Sequence, residues 1–275
     1  MIESNATIIE PRKGLLSGFD LKELASYREL LYFLVWRDIK VRYKQTVLGA
    51  AWAILQPFFT MVVFTIFFGK MAGMPSDGIP YPIFSYAALL PWTYFANAIS
   101  QSGNSLVNSS NLITKVYFPR LCIPMGATLA GLVDFFIAMI VLAGMMVWYG
   151  FIPGFGLILF PLLVFLTFLL ATSVGLWLSA LNVRYRDIRY IIPFMVQLWL
   201  FVTPVIYPTS IANNYSWILY LNPMAGIIES FRACILGHKT IPWPQLGLSV
   251  ILTISAFLTG FLYFNRVERE FADLV

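Results

Sequence analysis

Long uncharged runs alternate along this chain with short links crowded with charge. The nine residues NVRYRDIRY, 182–190, hold three arginines and an aspartate, while the runs on either side, 157–181 and 191–208, hold no charge at all. Six such runs are present, at about 47–69, 83–107, 123–149, 157–181, 191–208 and 245–264. A helix needs about 20 apolar residues, at 1.5 Å each, to cross the hydrocarbon core of a bilayer. Each run therefore predicts a transmembrane helix, and the fold class is an all-α integral membrane protein with six spans. The only ionisable residue inside any run is Asp134. This divides the chain into an N-terminal segment 1–46, a transmembrane domain 47–265 and a short tail 266–275.

Two further segments have a helical pattern without the length or apolarity to cross. Residues 21–45, LKELASYRELLYFLVWRDIKVRYKQ, contain no helix breaker, with Leu24, Leu31 and Val35 at helical spacing, and Tyr27 with Leu34. Apolar and aromatic residues mixed with basic ones predict an amphipathic helix in the membrane interface, facing lipid with its aromatics and headgroups with its Lys and Arg. It is either a membrane-surface helix alone or one that also touches a partner. Between the fifth and sixth runs, Pro223 to Leu236 is 14 residues, a re-entrant length. Pro223 suits a helix start and Gly237 a helix end. Glu229 and Arg232 sit at i, i+3 and are expected to pair on one face, making a half-buried helix tolerable at the outer rim.

Composition agrees with the pattern. The chain is 59% hydrophobic and 11% charged, with a mean hydropathy of +0.78, whereas soluble domains carry about 25% charged residues. The lysines and arginines also orient it, because they are retained on the cytoplasmic side. With six spans both termini share a side. That side holds 15 of the 18 basic residues, and the other holds Lys70, Arg232 and Lys239. Both termini are therefore expected in the cytoplasm, and the net charge of +5 is a topology signal that calls for no nucleic-acid partner. The first 20 residues lack an apolar run, so the first span is expected to act as the insertion signal. Cys122 and Cys234 fall at opposite ends of this topology, which argues against a disulfide between them.

Candidate chemistry is sparse. The single histidine, His238, lies in a loop, and H-E-x-x-H, C-x-x-C, G-x-S-x-G and G-x-x-x-x-G-K-[ST] motifs are all absent. Neither catalysis, nor a metal site, nor ATP binding by a phosphate-binding loop is expected of this chain. Asp134 is costly in hydrocarbon and a functional candidate for that reason. It either hydrogen-bonds inside the bundle or faces a wet cavity, or else carries protons, although no neighbouring span offers a second ionisable group. In the link 111–124, NLITKVYFPRLCIP, Lys115 and Arg120 flank Val116, Tyr117 and Phe118. Aromatics beside charge fit either a docking surface or anchoring at a span end. Trp52, Gln56 and Phe59 share one face of the first span, and Phe194, Gln197 and Phe201 one face of the fifth. Such faces either stack on sugar rings and bond hydroxyls along a wet path or pack against other helices.

Several blocks then converge on a family. They are YRELLYFLVWRDIKVRYKQTVLGAAWAILQP (27–57), LLPWTYFANAI (89–99), NLITKVYFPR (111–120), LNVRYRDIRYIIP (181–193), TPVIYP (203–208) and LNPMAGIIESFR (221–232), in this order among the spans. The chain resembles the membrane (permease) subunit of ATP-binding cassette exporters of polysaccharides and polyol phosphates, which move lipid-linked O-antigen, capsular or teichoic acid chains. The resemblance implies a homodimeric permease in the bacterial inner membrane, with two separate ATPase subunits that carry the ATP and Mg. It implies a gate helix over 21–45, with Arg37, Asp38, Arg42, Tyr43 and Lys44 in the matching block. It also implies a coupling helix over 111–120, with Lys115, Tyr117, Phe118, Pro119 and Arg120 on the ATPase, and a path lined by the first and fifth spans. The link Arg184, Arg186, Asp187 and Arg189 is then a coupling or headgroup element, with Asp187 paired to a nearby arginine, and not a catalytic centre. Two other functions remain open: a membrane transferase acting on lipid-linked sugars, which would need paired acids or a base near one face, and a permease of this fold for drugs or small lipids.

Overall fold

A computed structural model describes residues 25–44, 49, 51–211, 216–237, 240–268 and 271. His238, Lys239, Leu24 and most of the two terminal segments lie outside the described residues. Everything regular among the described residues is helical. Helix α1 spans Arg28–Lys44 and α2 spans Ala51–Phe64, continuing as a π-helical stretch Thr65–Met71. Helix α3 covers Tyr81–Asn108, the single turn α4 covers Ser110–Ile113, and α5 covers Cys122–Tyr149. A 3-10 turn, Phe155–Leu159, leads into α6, Phe160–Arg184. Then follow α7 (Ile188–Val202), α8 (Ser216–Leu221), α9 (Pro223–Leu236) and α10 (Trp243–Glu268).

Among the described residues four helices are long and apolar enough to cross a membrane: Ala51–Met71, Cys122–Tyr149, Gly156–Arg184 and Trp243–Glu268. The second expected span, α3, has the length at 28 residues but a mixed composition. Three of its tyrosines bond inside the bundle. The hydroxyl of Tyr81 donates to the Ile206 carbonyl at 2.7 Å, that of Tyr86 to Ala138 at 3.1 Å and that of Tyr94 to Thr128 at 3.3 Å. Asn182 of α6 returns a bond to the Gly103 carbonyl at 2.9 Å. Buried polar groups need such partners, so α3 is the central helix, in contact with α2, α5, α6, α7 and α9.

The fifth expected span differs more. The helix stops at Val202 after 15 residues, about 22 Å at 1.5 Å each. Pro204 follows two residues later, and proline cannot continue the hydrogen-bonded ladder. The TPVIYP block is a turn, with Val205 and Ile206 buried in the main core. Helix α9 has the expected bounds. The Asn222 side chain caps its start, accepting from the Met224 amide at 3.1 Å, and Gly237 ends it at φ 61°. It does not lie half-buried at a rim, however: every residue from Met224 to Leu236 is buried.

A second, smaller core forms where α1, the link after α3 and the end of α10 meet. It contains Leu34, Ile113, Phe118, Cys122, Phe264 and Phe271, whereas Cys234 belongs to the main core. This corrects the reading of Phe118 as an exposed aromatic: it is 4% exposed, beside Tyr117 at 58%. Pro119 is buried too, and the link is irregular after its one turn of helix, so it is no extended coupling helix. Arg120 fixes the link to the last helix. Its guanidinium donates to the Glu268 carbonyl and lies 5.8 Å from the Phe271 ring, and its amide donates to the Glu268 side chain at 3.3 Å.

Replacing Phe118 with Ala should lower the stability of the solubilised chain by about 3 kcal/mol, the order of a large-to-small change in a core. Tyr117→Ala should stay within about 0.5 kcal/mol of wild type. Thermal unfolding in detergent followed by circular dichroism checks the difference.

Candidate functional site

Helix α1 touches α5 at two places eight residues apart on each helix. A Cβ on Gly126 would come within 3.3 Å of the Leu34 Cβ, so glycine is what lets the helices approach there. Further along, Arg42 donates through one Nη to an Asp134 oxygen and Tyr43 donates its hydroxyl to the other. The second Nη of Arg42 donates to Gln101 of α3. With equal spacing on both helices, α1 follows α5 in the same direction rather than lying across the end of the bundle. Tyr32, Phe33, Trp36 and Val41 are all exposed on it while Leu34 is buried, so apolar residues ring α1 and do not form a single stripe.

Asp134 thus has the partner that no neighbouring span supplies in sequence; it comes from α1. The two readings kept for it, bonding in the bundle and facing a cavity, both hold. Burial pushes the Arg42 guanidinium below its ordinary value, an effect opposed by Tyr43 and Asp38. Burial likewise raises the Tyr43 phenol, opposed by Arg42. Tyr43 therefore keeps at neutral pH the proton it donates.

These groups line a cavity of about 340 Å³ enclosed by α1, α2, α3 and α5. Trp52 and Gln56 of α2 face it, together with Tyr94, Asn97 and Gln101 of α3. A second cavity of about 400 Å³ shares Arg42 and Gln101 and is lined also by Arg37, Asp38, Ser105 and Asn108. Arg37 pairs with Asp38 at 2.9 Å. The two form a trough under α1 that gathers rings, amides and two ion pairs, Arg42–Asp134 and Arg37–Asp38. Rings and amides in this arrangement suit a sugar or a polar headgroup. Among the described residues no cluster of His, Cys, Asp and Glu could hold a metal.

The remaining predicted residues divide. Trp52 and Gln56 reach the cavity and Phe59 does not line it, although Phe59 is 57% exposed. Phe194, Gln197 and Phe201 lie exposed on α7, which packs against α3 and α6 rather than α2, so one chain does not bring the two predicted path faces together. Lys44, Lys115, Arg184, Arg186 and Arg189 are exposed. The expected pairing of Asp187 with an arginine does not form among the described residues. Asp187 sits instead at the start of α7, its carbonyl accepting from the Tyr190 amide at 3.0 Å, and the Arg184 guanidinium lies 5.8 Å from the Tyr185 ring. Sequence reasoning missed Tyr94, Asn97 and Gln101. Their signal was present, since Asn97 and Gln101 are amides at i, i+4 in an uncharged helix, the same pattern that singled out Gln56.

At the other end of the bundle the Glu229–Arg232 pair forms as expected, at 3.2 Å with both side chains buried. Arg232 also donates to the Val205 carbonyl at 2.7 Å and to that of Phe84 at 3.3 Å, with its guanidinium 3.7 Å from the Phe84 ring. Thr209 donates to the Glu229 carboxylate at 3.3 Å. This satisfied pair ties α9 to α3 and to the turn after α7.

Residues 29–236 match the family described as ABC-2 type transporter. The chain is 30% identical to the O-antigen export system permease protein RfbA of Myxococcus xanthus, over 93% of this chain and 98% of that protein. It is 27% identical to a protein of the same name from Klebsiella pneumoniae, over 90% and 95%. To the polysialic acid transport protein KpsM of Escherichia coli it is 23% identical, over 92% and 97%.

Arg232→Met leaves Glu229 buried without its cation and should destabilise the chain by about 3–5 kcal/mol. Adding Glu229→Gln should restore much of that loss, because the uncompensated charge is then gone. Unfolding in mixed micelles with rising dodecyl sulfate content reads both.

Proposed function

The chain belongs to the ABC-2 type transporter family, and from that premise we propose that it is the permease subunit of an exporter that carries a lipid-linked polysaccharide across the bacterial inner membrane. The observation that carries this reading is the end-to-end likeness to proteins named for O-antigen export, 93% of this chain against 98% of the Myxococcus protein. The ring- and amide-lined trough under α1 supports it, because that chemistry matches sugars better than it matches an apolar drug.

In this reading the chain crosses the membrane six times, through α2 with its π-helical continuation, α3, α5, α6, α7 and α10. The buried turn after α7 completes the depth its 15 residues leave uncovered. Both termini lie in the cytoplasm, as the 15 of 18 basic residues on that side argue. Two copies pair so that the exposed faces of α2 and α7 cover each other around a path. Two ATPase subunits dock on the exposed part of the link, Lys115, Val116 and Tyr117. ATP is hydrolysed there, and this chain supplies the route.

The test is export in a strain lacking this chain but retaining its ATPase partner. Wild-type permease should restore surface glycan, and Trp52→Leu with Phe59→Leu should keep ATP hydrolysis by the complex while surface glycan falls several-fold, since the replacement keeps apolarity and removes the stacking faces. Surface glycan unchanged by deletion of the chain would sink the reading. Full export by the double variant would remove those rings from the path.

A further inference from the structure

Two donors in the trough converge as they would on a bound anion, but the anion is the protein's own. Arg42 and Tyr43 each donate to one oxygen of Asp134, and Gln101 accepts from the other side of the same guanidinium. Among the described residues Asp134 is the only acidic side chain lining that cavity. A guanidinium fork with a hydroxyl beside it fits a phosphate as well as it fits a carboxylate, and a phosphate brings more acceptor oxygens and more charge. The second cavity, on the far side of Arg42 and Gln101, gives access to the same fork.

We propose that Asp134 is an internal stand-in for an anionic ligand: it fills a phosphate-type site on Arg42 and Tyr43, and a phosphate-bearing ligand displaces it and frees the C-terminal half of α1 from α5. This rests on the reading of the chain as a permease whose trough admits substrate. Displacement moves α1 because the fork is on α1 and the carboxylate on α5. Leu34 against Gly126 fixes the earlier part of the helix, whereas Trp36 and Val41 in the later part are exposed, Val41 on the second cavity. Once Arg42 and Tyr43 hold a phosphate, the Asp134 carboxylate faces a like charge and the two helices repel at that point.

The test uses the full chain in nanodiscs, without ATPase or glycan, so its failure is separate from a failure of the export assay. Spin labels on cysteines introduced at the exposed positions Lys40 and Lys115 report the distance of α1 from the link. Three arms are compared: a phosphate-free lipid, digalactosyldiacylglycerol, alone, the same lipid with inorganic pyrophosphate, and phosphatidylglycerol. A second, longer distance population with pyrophosphate assigns the site to a free phosphate group, and one with phosphatidylglycerol to a lipid headgroup. No change in either overturns the proposal. Pyrophosphate affinity is measured in parallel. Asp134→Asn keeps the shape, removes the competing charge and should bind about tenfold tighter, a difference of about 1.4 kcal/mol, with the longer population present before ligand is added. Arg42→Gln should abolish binding. An Asp134→Asn chain that binds pyrophosphate no better than wild type would make Asp134 a structural partner only and overturn the proposal. Should that variant not insert, the wild-type distances decide by themselves.

Discussion

A carboxylate in the middle of a transmembrane helix must meet a cation or water, and in this chain Asp134 meets Arg42. That pair sets where α1 lies. With it, α1 is drawn along α5 and closes one side of a polar trough. Without it, α1 would keep the packing of Leu34 in the second core and against Gly126, and a surface ringed by exposed aromatics. Tyr43, Gln101, Asn97 and Trp52 are gathered around the pair.

The same physics repeats at the other end. Arg232 and Glu229 are buried together, and their remaining hydrogen-bonding capacity is met by the Phe84 and Val205 carbonyls and by Thr209. Both charged sites involve partners from elements far apart in sequence: α1 is held against α5 and α3, and α9 against α3 and the turn after α7. Central α3 serves each: Gln101 near one end and Phe84 near the other. An uncharged but polar helix is what that position requires, since it must satisfy neighbours on every side. This is also why its composition reads as less apolar than that of the helices around it.

What was legible in the sequence follows from which interactions are local. Helix α9 was placed to the residue because its start and end signals, Pro223 and Gly237, act within one turn, and the i, i+3 pair on it needs no tertiary information. The long runs behind α2, α5, α6 and α10 were equally plain. Failures arose where tertiary packing decides. The 191–208 run is uncharged throughout, yet the helix ends at Val202 because a proline follows and the buried turn finds a partner on α9. Phe118 and Tyr117 are adjacent aromatics with identical local surroundings, and only the arrival of the α10 end separates the buried ring from the exposed one. The Asp134 partner lies 92 positions away, on a segment whose basic residues had been read as facing headgroups. Asp187, with arginines three and one residues before it and two after it, pairs with none of those described, since four exposed charges in water gain little from any one contact.

In the proposed function the trough under α1 receives the exported glycan. A photo-reactive amino acid at Asn97, which lines it, tests this in cells that carry the ATPase and make the polysaccharide. A control probe at Ile140 sits on the exposed face of α5, at 69% exposure. After illumination, purified permease is probed for attached glycan. Glycan on the chain labelled at 97 and none on the chain labelled at 140 is the predicted result. Equal labelling at both positions, or glycan at 140 alone, would contradict the claim.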